Sequence, residues 1–163
     1  MNTLQKLTYG HYIVTALKKA DELKTRNEDY IAAASINWAS QISFEPEMVM
    51  ISVSQSSDLN ETIDYSGSFT LHLLSTDQKG LVEKFASENK VEGDKINGIS
   101  FRKENDELLL DKALGYVSCK VEKSENMGDH TLYFGKVISK NLNENVEPLC
   151  TNNLKSQYSK ENR

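Results

Sequence analysis

INWASQISFEPEMVMISVSQSS, residues 36–57, carries the strongest strand signal in the chain and, just ahead of it, the chain's one tryptophan. Met48–Val53 is an apolar run with β-branched members, the pattern of a buried strand. Pro46 cannot donate to a ladder, so it is expected to bend or bulge the 42–54 strand region near its start. The half before it differs in kind: Asn37, Trp38, Ser40, Gln41 and Ser43 crowd together. Two readings stand. The stretch is a polar loop pinned by one aromatic, or it is a surface shaped for a flat, hydrogen-bonding molecule. In the second reading Trp38 stacks on a planar ring while amides reach the ring's edge; in the first it fills the core.

Upstream, YGHYIVTALK (9–18) has apolar residues on both alternating sets and reads as a strand buried on both faces. KADELKTRNEDY (19–30) is a charged turn, and 31–36 returns from it as a second strand. Downstream, SDLNETIDY (57–65) reads as a short helix with Ser57 as N-cap, ended by Gly67. SFTLHLLS (68–75) alternates Phe69, Leu71 and Leu73 against Thr70 and His72. Ser75 and Gln78 form a capping box before a helix with Leu81, Val82 and Phe85 on one stripe. Residues 87–98 read as a polar loop, and 99–113 as strand, turn and strand. Val117, Cys119 and Val121 mark a half-buried strand that SENMGDH (124–130) turns into its antiparallel neighbour, HTLYFGKVIS (130–139). Residues from about 150 onward form a polar tail. Strands that follow one another with few helices between them favour a mainly β, antiparallel barrel with two or three decorating helices. With 163 residues and no linker or repeat, one domain covers 1–163.

A hydrophobic content of 38%, charged residues at 26% and a net charge of −5 describe a globular chain with no general attraction for nucleic acid or an acidic membrane. No apolar run nears the roughly 18 residues that cross a bilayer, and the first residues lack a secretory pattern. Cys119 and Cys150 have no metal-like spacing and read as free thiols, which suits the cytoplasm. His11, His72 and His130 are scattered, so no metal site is expected. Dinucleotide, P-loop and nucleophile-elbow glycine patterns are missing from the sequence.

Three places carry chemistry. SQSSDLNETI (54–63) ends a strand in small hydroxylic residues before a helix start, which suits a phosphate and equally suits ordinary capping. Asp129 and His130 are neighbours; strand alternation would send them to opposite faces, so an Asp–His pair is not expected, and His130 is either a turn-packing residue or a catalytic one. Trp38 and its polar neighbours are the third.

In order, ASINWASQISFEPEMVMISV (34–53), SQSSDLNETI (54–63), SGSFTLHLLSTDQKGLVEKFA (66–86) and GDHTLYFGKV (128–137) resemble the flavin reductase-like family of FMN-binding split barrels, over about residues 7–158. The opening LTYGHYIV (7–14) is similar to a subgroup that serves as electron carriers. The resemblance implies an antiparallel split barrel of about six strands that forms a homodimer, with FMN near the dimer interface and NAD(P)H as hydride donor. It puts Asn37, Trp38, Ser40 and Gln41 against the isoalloxazine edge and ribityl chain, Ser56 and Ser57 with Asn60 at the phosphate, and His130 beside flavin and nicotinamide. An FMN-bearing electron carrier reduced by a partner protein, or a non-catalytic flavin-binding barrel, is the alternative. The chain departs from the family pattern at Glu47, Leu59 and His72. With no arginine after the serines, Lys24, Arg26 and Lys155 are the candidates for the cation at the phosphate.

Overall fold

The computed structural model describes residues 2–20, 28–143 and 145–150. Its elements run β1 (Tyr12–Lys18), β2 (Tyr30–Ile36), β3 (Ala39–Phe44), β4 (Glu47–Ser54), α1 (Asp58–Ser66), β5 (Ser68–Leu73), α2 (Lys79–Lys84), β6 (Val91–Glu92), β7 (Lys95–Ile96), β8 (Ile99–Glu104), β9 (Glu107–Leu110), β10 (Gly115–Met127) and β11 (His130–Leu142). Seven strands form one antiparallel sheet in the order β2-β1-β5-β10-β11-β4-β3, and β6-β7-β8-β9 form a smaller sheet.

The mainly β, antiparallel expectation holds; the barrel of about six strands needs correction. The large sheet has seven strands and does not close, because no ladder joins its edges β2 and β3. Those edges are nevertheless consecutive in sequence, with Asn37 and Trp38 as the entire connection. Three Cα–Cα steps cover at most about 11 Å, so the sheet must curl until its edges nearly meet at that end. The curl places residues 37 and 38 on its rim.

Each face of the curled sheet covers a core. Inside lie Val14, Ala32, Ile51, Val53, Phe69, Leu71, Cys119 and Tyr133, closed by Leu59 and Ile63 of α1. Those two helix residues are four apart and so share a face; burying each is worth about 1.5–3 kcal/mol over leaving it exposed. Behind the sheet, Ile13 and Leu17 pack against Val82 and Phe85 and against Ile96, Ile99, Phe101, Leu108 and Leu110 of the small sheet. This explains why both alternating sets of β1 are apolar.

Helix α1 begins at its Ser57 cap, whose hydroxyl accepts the Asn60 N–H, and ends at Gly67 with φ 69°. The Ser75–Gln78 capping box forms, opening a short 3₁₀ turn that leads into α2. The β10–β11 hairpin turns at Gly128, whose φ of 62° a side chain would disfavour.

Two local expectations are corrected. Pro46 does not bend one strand: it sits in the turn between β3 and β4, two paired strands of a hairpin. A residue without an N–H belongs where no ladder bond is needed. Residues 87–98 are not all loop, since β6 and β7 pair there across Gly93. Thr70 and His72 are both buried, because the small sheet covers their face of β5. Thr70 shares a 2.8 Å hydroxyl contact with Ser118. His72 stitches three strands together: Nδ1 lies 3.2 Å from the Ile13 carbonyl and Nε2 accepts the Leu110 N–H at 3.1 Å. An Nε2 that accepts leaves Nδ1 as the donor, so the ring is neutral; burial pushes its pKa down to about 4.

Candidate functional site

Strand β4 is the spine of the site. Its ladders pair Met50 with Ser40 of β3 and Ser54 with His130 of β11. Between them, the Ser52 N–H donates to the Trp38 carbonyl at 2.9 Å, extending the β3 ladder back to Trp38. Successive same-side residues of β4 lie about 7 Å apart, so Ser40, Trp38, His130 and the turn that starts at Ser54 follow in sequence along one face of the sheet around β4.

Trp38 is not core: it is 47% exposed. Its indole meets the Tyr9 ring edge-on at 6.5 Å and the His130 imidazole at 4.9 Å with a 49° tilt. An aromatic held by two neighbours yet open to solvent offers a stacking surface. Strand alternation puts Ser40 on the same side of β3. The Ser40 hydroxyl donates to the Gln41 carbonyl, and the Gln41 amide donates to the Ser43 carbonyl, so both exposed side chains lie along their own strand. Asn37 turns inward, with its side chain hydrogen-bonded to His11. Burial lowers the His11 pKa, only partly offset by that bond.

Asp129 and His130 do form a pair, contrary to the expectation from strand alternation. The carboxylate accepts from Nδ1 at 2.6 Å. Alternation fails because Asp129 belongs to the turn rather than to β11. The hydrogen bond from His130, with its charge, holds the Asp129 carboxyl below its usual range.

At the other end of the site, the Ser54 and Ser56 hydroxyls lie 3.1 Å apart. Ser57 donates to the Ser54 carbonyl and caps α1. The N–H groups of Asp58 and Leu59, at the first turn of the helix, have no intrahelical acceptor. Asn60 points away: it is buried, donating to Thr131 Oγ1 at 2.9 Å, and Thr131 donates on to Asn126. Its side chain therefore holds α1 to β11 from behind. An open aromatic face, polar groups along β3, and hydroxyl and amide donors at a helix start match the chemistry of a planar ring with a phosphorylated tail. By this measure the donor set fits FMN.

Sequence reading missed Gln55, His11 and Tyr9. Gln55 donates its backbone N–H to the Asp129 carbonyl at 3.0 Å and its side-chain amide to the carbonyls of Gly128 and His130. It thus ties the serine turn to the β10–β11 hairpin, a contact 73 residues distant in sequence. No local pattern signals such a contact. His11 reaches Asn37 because Tyr12 pairs with Ile36, a register that the sequence does not print. Lys24, Arg26 and Lys155 lie outside the described residues.

The family model for the flavin reductase like domain matches residues 4–159, and the chain belongs to that family. It is 28% identical over 109 residues to the NADH-dependent FMN reductase AsuE2 of Streptomyces nodosus subsp. asukaensis, across 64% of this chain and 58% of that one. To the high molecular weight rubredoxin of Moorella thermoacetica it is 28% identical over 149 residues, across 90% of this chain and 61% of that one. It thus spans less than two thirds of either relative. The solved structure of flavin reductase PheA2 in its native state superposes with a TM-score of 0.73 at 25% identity, over 91% of this chain and 88% of that one.

Proposed function

We propose that this chain is an FMN-binding flavin reductase-like oxidoreductase, built as one domain, that carries electrons from NAD(P)H through flavin to an acceptor. The observation that carries the reading is the convergence along β4 of an open Trp38 ring, the His130 imidazole in contact with it, and the hydroxyl-rich turn at α1. Family membership supports the choice of flavin. Bound FMN supplies the redox chemistry, taking up a hydride and releasing electrons.

The chain's residues bind and orient. Trp38 offers its face to the ring, while Ser40, Gln41 and the backbone at Asn37 line the edge and the ribityl chain. Ser56, Ser57 and the first N–H groups of α1 receive the phosphate, and Asn60 supports that turn through Thr131. His130 borders the place where ring and nicotinamide meet. No side chain is asked to act as a nucleophile, consistent with a site that has no such triad in its sequence.

A homodimer belongs to the same reading. Phe44, 86% exposed, and Ile42 stand on the β3 hairpin, and alternation puts half-buried Met50, Leu132 and Phe134 together on the outer face of β4 and β11. Such a stripe suits a second copy, which would cover the open side of Trp38. Two free thiols, Cys119 and Cys150, accord with a reducing cytoplasm. Among the described residues no helix is long and apolar enough to cross a membrane.

One spectrum tests the function. The purified protein loaded with FMN is yellow, and NADH or NADPH without oxygen bleaches it. Match over 90% of the chain to a rubredoxin-named relative favours one rival, an electron carrier. Its signature is bleaching by a reductase protein and none by either nucleotide.

A further inference from the structure

We propose that Asp129 is a positioning residue for His130: its carboxylate holds the imidazole in the Nδ1–H tautomer, so that Nε2 turns a lone pair toward the site. The proposal rests on reading His130 as part of the flavin and nicotinamide site.

Adjacent residues converge here for an identifiable reason. The turn is locked by three donations from Gln55, backbone N–H to the Asp129 carbonyl and side-chain amide to the carbonyls of Gly128 and His130. With the backbone so held, Asp129 Oδ1 reaches His130 Nδ1 at 2.6 Å. An ionised carboxylate can only accept, so the hydrogen sits on Nδ1. Whenever the ring carries a single proton, its acceptor is therefore Nε2. Trp38, tilted over the imidazole at 4.9 Å, restrains the ring plane. An acceptor at Nε2 suits a donor such as the N–H2 group of a dihydronicotinamide carboxamide.

Exposure sets the size of the effect. The Asp129 side chain is 95% exposed and that of His130 27%. The pair therefore competes with water and adds little to folding. A bond with little structural value that still fixes one ring nitrogen at the site is a device for orientation.

The test reads the ring nitrogens directly. Nitrogen-15 histidine spectra of the flavin-free protein in mildly alkaline buffer resolve three side chains, and His130→Ala assigns one of them. The wild type should show His130 protonated at Nδ1, and Asp129→Ala should shift much of the population to the Nε2–H form. In the FMN-loaded protein, Asp129→Ala should slow reduction by NADH about two- to fivefold, the range open to an exposed pair, at unchanged flavin content. In a His130→Ala background it should add nothing, since a residue acting through another shows no separate effect. Identical nitrogen shifts with and without Asp129, an unslowed Asp129→Ala enzyme beside a slowed His130→Ala one, or further slowing of the His130→Ala protein would overturn the proposal. If His130→Ala is itself reduced as fast as wild type, the assigned role of His130 fails, and the nitrogen shifts still decide whether Asp129 sets the tautomer.

Discussion

The indole of Trp38 and the imidazole of His130 lie 4.9 Å apart, although 92 residues separate them in the chain, because β4 pairs with β3 on one side and with β11 on the other. The contact joins an aromatic platform to a ring that can exchange hydrogen bonds. It also leaves almost half of the indole open.

Trp38→Ala should weaken FMN binding by about 1–3 kcal/mol, the usual scale for stacking a planar heterocycle on an aromatic side chain. Because the ring is exposed, the melting temperature of the flavin-free protein should hardly move. Titration calorimetry with FMN and a thermal melt check the two halves. Unchanged affinity with a lowered melting temperature would make Trp38 a packing residue.

The two serines at the start of α1 should separate. Ser56 is exposed and does not cap the helix, so Ser56→Ala should leave stability alone. Loss of a hydrogen bond to a charged group costs about 1.5–3 kcal/mol, so FMN should bind more weakly while riboflavin, which lacks the phosphate, should not. Ser57 is the cap, and Ser57→Ala should also cost about 1 kcal/mol of folding stability. Equal losses for FMN and riboflavin in Ser56→Ala would remove this turn from the phosphate site.

His72 gives the fold a dependence on pH. Its folded pKa, about 4, lies below the ordinary 6.5. Between these values the unfolded chain binds a proton that the folded one refuses, so stability rises with pH across that window. The contribution is fully present above about pH 6.5 and fades as pH falls towards 4, by at most about 3 kcal/mol. Urea titrations at pH 7 and pH 5 should show a smaller loss in His72→Asn than in wild type. At pH 7 that variant should already be less stable, because the Leu110 N–H loses its acceptor.

Gly135 is fixed by crowding. A Cβ there would stand 2.6 Å from Cβ of Cys119 and 2.8 Å from Cζ of Phe69, both in the inner core. Gly135→Ala should cost about 1–3 kcal/mol as those neighbours are pushed aside. The Cys119 thiol is fully buried and pushed up to about 12 by that burial, so labelling of the folded protein should be slow. Chemical denaturation and thiol labelling should therefore both register the loosened core.

What local pattern encodes was legible. β1 announced burial on both faces through Ile13 and Val14; Ser57 and Gly67 bounded α1; Gly128 turned β10 into β11. The polar and aromatic stretch at 37–41 stood out as either a pinned loop or a surface for a flat molecule, and its residues alone did not choose between the two. Where the reading failed, the missing quantity was non-local. Alternation left open what covers Thr70 and His72, which the small sheet buries, and Pro46 looked like a bend until β3 was paired with β4.

By itself the sequence determined the kinds and order of the elements and most of the chemical groups available to a ligand, since capping, alternation and turn preference act over a few residues. Tertiary structure alone decided that the sheet stays open between β2 and β3, that Trp38 meets His130, that Gln55 grips the far hairpin, and that Asn60 faces inward. The reason is register: a one-residue slip of a strand exchanges its faces, and register is fixed by contacts between segments tens of residues apart.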